Sequence, residues 1–351
     1  MGNLNANPPT NNLAERIRTE AAALGFSRVR FARTGGAPGI GRYDDFLAAG
    51  HHGQMTWMQS GREARAAPLS LLPTAKTAVV LGVDYAWPRP PDPGGLTGKV
   101  SCYAWGRDYH NLMSKRLRRL ARGLREDGVE VYWGVDSRPL IERAWAARSG
   151  MGFVGKNCMV IIPGTSSYLF LAVMLISEAL PEDPPTLRDH CGTCRRCLEV
   201  CPTDAFVGPM QLDARRCIAY LTIEHRGAIP LPLRPLMGRW VFGCDLCQEV
   251  CPHNHRLHSS PDRSSSHDDF QPRTGHAWLD LQWLLTAEDD DINAALIGSP
   301  LRRPKPAGLK RNAAVVAGNL GDVAARPALL KALQHSDEHV ASHARWALDR
   351  L

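Results

Sequence analysis

Helical and extended patterns alternate over the first 185 residues. Leu13, Ile17, Ala21 and Leu24 fall on one stripe, which predicts a helix over Leu13–Leu24 stopped by Gly25. Ser27–Ala32 reads as extended. Thr77–Tyr85 reads as a strand, and the Pro- and Gly-rich stretch Trp87–Gly98 after it predicts a loop. Asp108–Glu126 carries the clearest helical period: Leu112, Leu117, Leu120 and Leu124 face inward, while Lys115, Arg116, Arg118, Arg119, Arg122 and Arg125 spread over the outer surface. Val129–Val135 predicts a strand, Pro139–Arg148 a helix with proline at its first position, and Met159–Ile162 and Tyr168–Ile176 two further strands. Tyr168–Ile176 is the longest wholly apolar run, too short to span a bilayer and suited to a buried strand. Residues 1–185 therefore predict an α+β domain.

The pattern then changes twice. Residues 186–256 are dominated by cysteine and predict a small ferredoxin-like module, held together mainly by metal sulfide cores. Residues 257–307 predict a linker and basic connecting region, because Ser259–His267 has almost nothing to bury; His255, His258 and His267 are expected to be solvated. In residues 308–351 a shift of 31 places lays Arg311–Leu320 over Ser342–Leu351, with Pro327–Leu333 as the helix between. That is the texture of HEAT-like repeats, and so few repeats must dock on the main body to bury their shared face.

Composition excludes several classes. The 351 residues are 44% hydrophobic and 22% charged, enough for a substantial core in two or three domains. The polar start Met1–Asn12 has no secretory pattern, which predicts a cytoplasmic protein with no membrane anchor. The net charge of +7 favours a polyanionic partner. Arg302, Arg303 and Lys305, with Lys310 and Arg311, are the densest positive segment of the C-terminal region, either a solvated linker or a phosphate-binding edge.

Seven of the ten cysteines lie in two runs, Cys191-x2-Cys194-x2-Cys197-x3-Cys201-Pro202 and Cys244-x2-Cys247-x3-Cys251-Pro252. In the bacterial two-cluster arrangement the cysteine before the proline crosses to the other cluster. Cluster one is then Cys191, Cys194, Cys197 and Cys251; cluster two is Cys201, Cys244, Cys247 and, as the natural eighth ligand, Cys217. A zinc ribbon has no use for the third cysteine or the Cys-Pro ending, and disulfides would require secretion. Cys102 and Cys158 are left over as ordinary buried side chains. Two [4Fe-4S] clusters pass electrons singly, and the long flanking regions imply that they feed a reaction. No G-x-G-x-x-G follows a strand and no P-loop is present, so nicotinamide binding and ATP-driven reduction lack support.

These runs, with Asp108-Tyr109-His110, Val135-Asp136-Ser137, Glu142-Arg143-Ala144, Gly152–Cys158, Arg216–Thr222 and Gly243–Gln248, resemble the epoxyqueuosine reductase family from about Leu13 to Leu351. The resemblance implies cobalamin beside the two clusters in an N-terminal cobalamin- and substrate-binding catalytic domain. It implies reduction of the epoxide of a modified wobble base in tRNA to an alkene, with Co(I) generated one electron at a time. Asp136 matches the family's proton donor, kept protonated by burial beside the corrin; otherwise Asp136-Ser137 would cap the following helix. Asp108, Tyr109 and His110 are pocket candidates. Arg65, Lys156, Asp245 and Gln248 are candidates for contact with the cofactor, although the aspartate usual two residues after Arg65 is Ala67 here. Asp337-Glu338-His339 does not continue as Asp-x-His-x-x-Gly, which predicts a base-off corrinoid without a histidine lower ligand. Arg302, Arg303, Lys305, Lys310 and Arg311 are expected to hold phosphates of the anticodon stem-loop, so neutralising Lys310 and Arg311 together should weaken binding. An external flavodoxin or ferredoxin with its reductase would supply electrons to a monomer. The alternatives are a reductive dehalogenase-like corrinoid enzyme, against which the absent twin-arginine signal and the basic tail count, and a non-catalytic electron carrier.

Overall fold

The computed structural model describes residues 10–185, 189–255 and 267–351. Met1–Pro9 and most of the string Ser259–His267, with His258, lie outside the described residues. At the centre is a four-stranded antiparallel sheet in the order Arg28–Arg33, Thr77–Asp84, Leu169–Ile176, Val131–Gly134. Its two middle strands are apolar from Ala78 to Val83 and from Leu169 to Ile176 because both faces are covered. Val79, Leu81, Phe170, Ala172 and Met174 pack into one core with Ile17, Leu117, Leu120 and Leu124 of the helices Thr10–Ala23 and Tyr109–Glu126. The alternate residues Ala78, Val80, Val173 and Leu175 meet Trp145 of the helix Glu142–Arg148 on the other face.

Most expected elements form within a few residues of their predicted ends. The first helix stops at Gly25, φ 84°, where the Phe26 amide bonds Ala21 O and the Gly25 amide bonds Ala22 O. Two expectations fail. Arg116 is buried rather than on the outer surface, its guanidinium reaching Gly25 O at 3.3 Å, Asp269 Oδ2 at 3.1 Å and the ring of His267, which is therefore not simply solvated. The helix expected from Pro139 begins only at Glu142, because a turn at Val135–Ser137 reverses the chain first.

The cysteine module is built into the body and does not depend on its clusters alone for attachment. Trp240–Phe242, from within it, runs parallel to Thr97–Val100, and Trp278–Asp280 pairs antiparallel on the other side. This second sheet joins segments more than a hundred residues apart. Gly98 is required where they meet, since a Cβ there would come within 2.8 Å of Val241 Cβ. The strand Trp278–Asp280 and the helices Leu281–Thr286 and Asp289–Ala295 fall in the range expected as linker, 257–307; Leu281, Leu284, Leu285 and Ile292 are buried in the main core. The helices Lys305–Leu320, Arg326–Ala332 and Glu338–Leu348 follow, and the first packs on Trp240–Phe242 and on the helix Ile218–Ile223. The tail thus docks on the main body as expected. Among the described residues no helix is long and apolar enough to cross a membrane.

Candidate active site and iron-sulfur centre

The two cysteine runs end in short helical turns, Arg196–Glu199 and Leu246–Glu249, that pack against each other. Cys191, Cys194, Cys197 and Cys251 line one cavity of about 80 Å³, together with Lys156 and Asn157. These are the four thiols expected for the first cluster. Burial, then the neighbouring Cys191, Cys251 and Cys194, pushes the Cys197 thiol up to about 11. Cys201, Cys217, Cys244 and Cys247 form the second group: burial raises Cys217, Cys244 and Cys247, and the sulfurs raise one another. Cys197 also acts on Cys247, so the two groups are neighbours. Among the described residues no three His, Cys, Asp or Glu side chains stand close enough for a single metal ion. Cys191, Cys194, Cys197 and Cys251 instead face one shared cavity, the arrangement a cubane needs.

Backbone amides point at these sulfurs. Lys156 N–H serves Cys191, Ala205 N–H lies 3.4 Å from Cys201 Sγ, and Ala219 and Tyr220 N–H serve Cys217. Such donors stabilise the negative charge of a thiolate-bound cluster.

Cys158 lies near enough to Cys217 to raise it electrostatically, so the eighth ligand is a choice between two thiols. Cys217→Ala should lower iron content by between one atom and one whole cluster per chain, measured by iron analysis after anaerobic reconstitution, whereas Cys158→Ala should leave it unchanged. Full iron in the Cys217 variant would remove Cys217 from the set.

Three cofactor candidates make bracing contacts within the chain. Lys156 Nζ donates to Gly192 O at 2.5 Å and Cys194 O at 2.9 Å, so it shapes the first cysteine loop. Asp245 is buried and accepts from Ser101 Oγ, from Cys102 N at 2.7 Å and from Arg89 Nη2 at 3.3 Å. Gln248 is buried with its amide on Ser167 O and Oγ, at 3.1 and 3.0 Å. All three charged or polar groups are spent inside the protein, where an unmade hydrogen bond would be costly.

Asp136 stands at φ 53°, a left-handed conformation uncommon outside glycine. It does not cap the next helix: its amide donates to Glu142 Oε1 at 2.9 Å, which pins the turn. Its Oδ2 faces three donors, the Tyr109 hydroxyl at 2.9 Å, His110 Nε2 at 2.8 Å and Arg303 Nη2 at 3.5 Å. The Tyr109 ring stacks on Phe170 at 4.2 Å and 7°, so the central sheet sets where that hydroxyl points. Asp108 caps the helix Tyr109–Glu126 through the His110 amide and lies 3.3 Å from His110 Nδ1, leaving His110 between two carboxylates. The Asp136 side chain remains 49% exposed, at the mouth of this group.

The charges around Asp136 work against its protonation. Burial does push the Asp136 carboxyl up, but the hydrogen bond and charge of His110, the charge of Arg303 and the Tyr109 hydroxyl overcome it and hold the group well below the usual carboxylate range. This arrangement favours the carboxylate form. For His110, burial favours the neutral ring, and the bonds to Asp108 and Asp136 more than reverse this. Glu142 is pushed up to about 7 by burial, with the Asp136 charge adding to it.

One short helix links the cluster side to Asp136. Cys217 caps Ile218–Ile223, Glu224 closes it, and Arg303 Nε lies 3.6 Å from Glu224 Oε1. The segment His51–Gln54 is fastened to the same helix by the Gln54 amide on the Tyr220 hydroxyl at 2.8 Å. On this segment and the next turn, His52 Nδ1 and Arg65 Nη1 are buried with no hydrogen-bond partner among the described residues, and Trp57 is exposed.

The five basic residues expected on RNA divide. Arg302 and Lys305 are exposed and line an open polar cavity of about 440 Å³ with Asp108, Asn111, Asn293 and Ser299. Arg303 turns inward to Asp136 and Glu224. Lys310 and Arg311 are buried, Lys310 on Asp289 at 2.6 Å and Arg311 on the carbonyls of His225, Gly227 and Leu221 at 2.7 to 2.8 Å. Both are therefore structural. Sequence reasoning missed the place of Arg303 at the carboxylate, and it gave Glu142 no role although its motif was in view.

Two groups of four thiols, joined through the helix Ile218–Ile223, Glu224 and Arg303 to a half-exposed carboxylate, are the parts of an iron-sulfur oxidoreductase. Residues 190–254 match the profile described as "4Fe-4S double cluster binding domain", and residues 65–137 match "Epoxyqueuosine reductase QueG, DUF1730". The epoxyqueuosine reductase of Pseudomonas aeruginosa is 39% identical, covering 99% of this chain and 97% of its own length. That of Xanthomonas campestris pv. campestris is 38% identical, covering 98% and 97%. A crystal structure of epoxyqueuosine reductase with an epoxyqueuosine-modified tRNA-Tyr stem loop superposes with a TM-score of 0.86 at 28% identity, covering 97% of this chain and 90% of that one. A Bacillus subtilis structure with its catalytic aspartate loop swung out of the active site also gives 0.86 at 28%, covering 97% and 91%. The chain belongs to the epoxyqueuosine reductase family.

Proposed function

We propose that this enzyme reduces the epoxide of epoxyqueuosine at the wobble position of tRNA to the alkene of queuosine, drawing electrons through two [4Fe-4S] clusters to cobalamin. The reaction consumes two electrons and two protons and releases water. The observation that carries this reading is the placement of Asp136: a carboxyl open to solvent on one side, joined on the other to the helix that follows Cys217 and flanked by the Arg302–Lys305 edge.

In this reading Cys191, Cys194, Cys197 and Cys251 hold one cluster and Cys201, Cys217, Cys244 and Cys247 the other. The amides facing the sulfurs stabilise their charge. Cobalamin, when bound, would supply a strongly reducing centre for the deoxygenation. The buried, unpartnered Arg65 Nη1 and His52 Nδ1 fit its polar rim, since each would cost about 1–3 kcal/mol unless a ligand met it. Arg65 keeps this role despite Ala67, because its guanidinium rests over the Tyr43 ring at 5.4 Å and has no need of a carboxylate to place it. Tyr109 and His110 orient Asp136, which gives its proton to the departing oxygen. Arg302 and Lys305 face the phosphates of the stem-loop. The tail helices are the HEAT-like pair that presents this edge. A flavodoxin or ferredoxin donates the electrons, and the enzyme acts as a monomer in the cytoplasm.

Asp337 caps the helix Glu338–Leu348 by accepting from the His339 and Val340 amides, so that segment is committed to the tail. Electron paramagnetic resonance of the Co(II) form should accordingly show no nitrogen superhyperfine splitting; its appearance would overturn the base-off assignment. The function itself is tested by anaerobic reconstitution with iron, sulfide and cobalamin, followed by mass analysis of the tRNA nucleoside after reduction. Loss of one oxygen is expected, and an unchanged mass would refute the reading.

A further inference from the structure

Asp136 Oδ2 meets His110 at 2.8 Å and Arg303 at 3.5 Å, contacts that favour a carboxylate over the acid a proton donor must be, and Arg303 is where that can be relieved. Asp136 Oδ2 faces His110 and Tyr109 from the helix Tyr109–Glu126 and Arg303 from the tail; Glu142 holds its amide, and Asp108 and Glu224 stand behind His110 and Arg303. His110 and Tyr109 are fixed by a rigid helix and a ring stack. Arg303 is not. Its side chain is 40% exposed, its two ion pairs are the long ones at 3.5 and 3.6 Å, and neither is bidentate. Pairs of that kind are weak. Its chain neighbours Arg302 and Lys305 are exposed on the RNA-facing edge. A phosphodiester offers a guanidinium two oxygens in the planar geometry it matches best.

We propose that Arg303 is a positioning residue that couples RNA binding to proton donation: in the free protein it restrains the Asp136 carboxylate, and a phosphate of the bound stem-loop draws it away. Released from one of its two cationic neighbours, Asp136 takes up a proton. His110, the remaining one, can relay it, since the ring sits 2.8 Å away with Asp108 on its far nitrogen. The acid is thus armed only when RNA is present. This inference rests on the reading of Asp136 as the proton donor.

The test uses the full chain, Arg303→Gln and an unmodified anticodon stem-loop. Binding by the wild type should take up a proton, so affinity falls as pH rises. In Arg303→Gln this pH dependence should flatten and the log-log salt slope should drop by about one phosphate contact. In turnover, an acid must be protonated to work, so activity is lost as pH rises through its pKa. Removing Arg303 should move that limb to higher pH in kcat/KM, which reports the free enzyme, and leave it in place in kcat, which reports the complex. An unchanged salt slope, or limbs that move together or not at all, would overturn the coupling. Should the glutamine variant fail to load iron, Arg303→Lys, which keeps the charge without the fork, should show the same changes at smaller size. Asp136→Asn separates the two ideas: full turnover in that variant sinks the donor assignment itself, whereas a dead variant beside unmoved Arg303 limbs sinks the coupling alone.

Discussion

Asp136→Asn should lower turnover by about 10²- to 10⁴-fold, the span that general-acid catalysis contributes. The change should leave iron content and stem-loop affinity close to the wild type. Asparagine is well suited as the probe. It tolerates the left-handed backbone that Asp136 adopts, it keeps an oxygen for the Tyr109 hydroxyl, and it leaves the amide bond to Glu142 untouched. What it lacks is a proton to give. A loss of cluster or of RNA binding on the same scale would make Asp136 a structural residue.

The stability of the site should carry a matching pH signature. The folded Asp136 carboxyl titrates below its unfolded value, so its contribution is present above the ordinary carboxylate range and fades as pH falls toward the depressed value. His110 titrates above its unfolded value, so its contribution is complete below the ordinary histidine range and fades as pH rises through the raised one. The pair therefore stabilises most between the two ranges. Asp136→Asn should flatten both flanks of the thermal-stability profile. The pair titrates as a unit, so the flanks belong to both residues together.

Arg311→Met should destabilise the fold by about 2–3 kcal/mol, because the buried Leu221 carbonyl and the half-buried carbonyls of His225 and Gly227 lose their donor and an unsatisfied buried group costs about 1–3 kcal/mol. Burial pulls the Arg311 guanidinium down to about 10, yet it keeps its charge at neutral pH and holds the loop from Leu221 to Gly227 against the tail. Arg302→Gln and Lys305→Gln should do the opposite: little change in thermal stability, since both are exposed, and weaker stem-loop binding with a shallower salt dependence. Thermal denaturation and binding titrations at several salt concentrations separate the two classes. If Arg311→Met melted like the wild type and bound RNA poorly, the buried assignment would be wrong.

Much of this site is legible in order along the chain. The cysteine spacing names the same four thiols that line the first cavity, and it puts Cys217 beside Cys201, Cys244 and Cys247. The periodic helix Asp108–Glu126 forms nearly as expected, and the pocket candidates Tyr109 and His110 at its start are two of the groups that face Asp136. Less legible was the fate of individual charges. Arg116 belongs to a row of arginines that all read as solvated, and only the turn at His267–Phe270 closing over it makes it a buried tie. Lys156, Asp245 and Gln248 lie in loops that chemistry would place near a cofactor, and each is consumed by a neighbouring backbone or hydroxyl.

The grouping of the first four cysteines, the stop of the first helix at Gly25 and the apolar central strands were determined by the sequence alone, because each depends on backbone geometry over a handful of residues. Which basic residue stays in water, which meets Asp136 and which holds the tail down was decided by tertiary structure. Arg302, Arg303, Lys305, Lys310 and Arg311 are chemically alike and nearly adjacent, and their roles separate only when the strand Trp240–Phe242, the helix Ile218–Ile223 and the Asp136 turn cover some of their side chains and leave others in water.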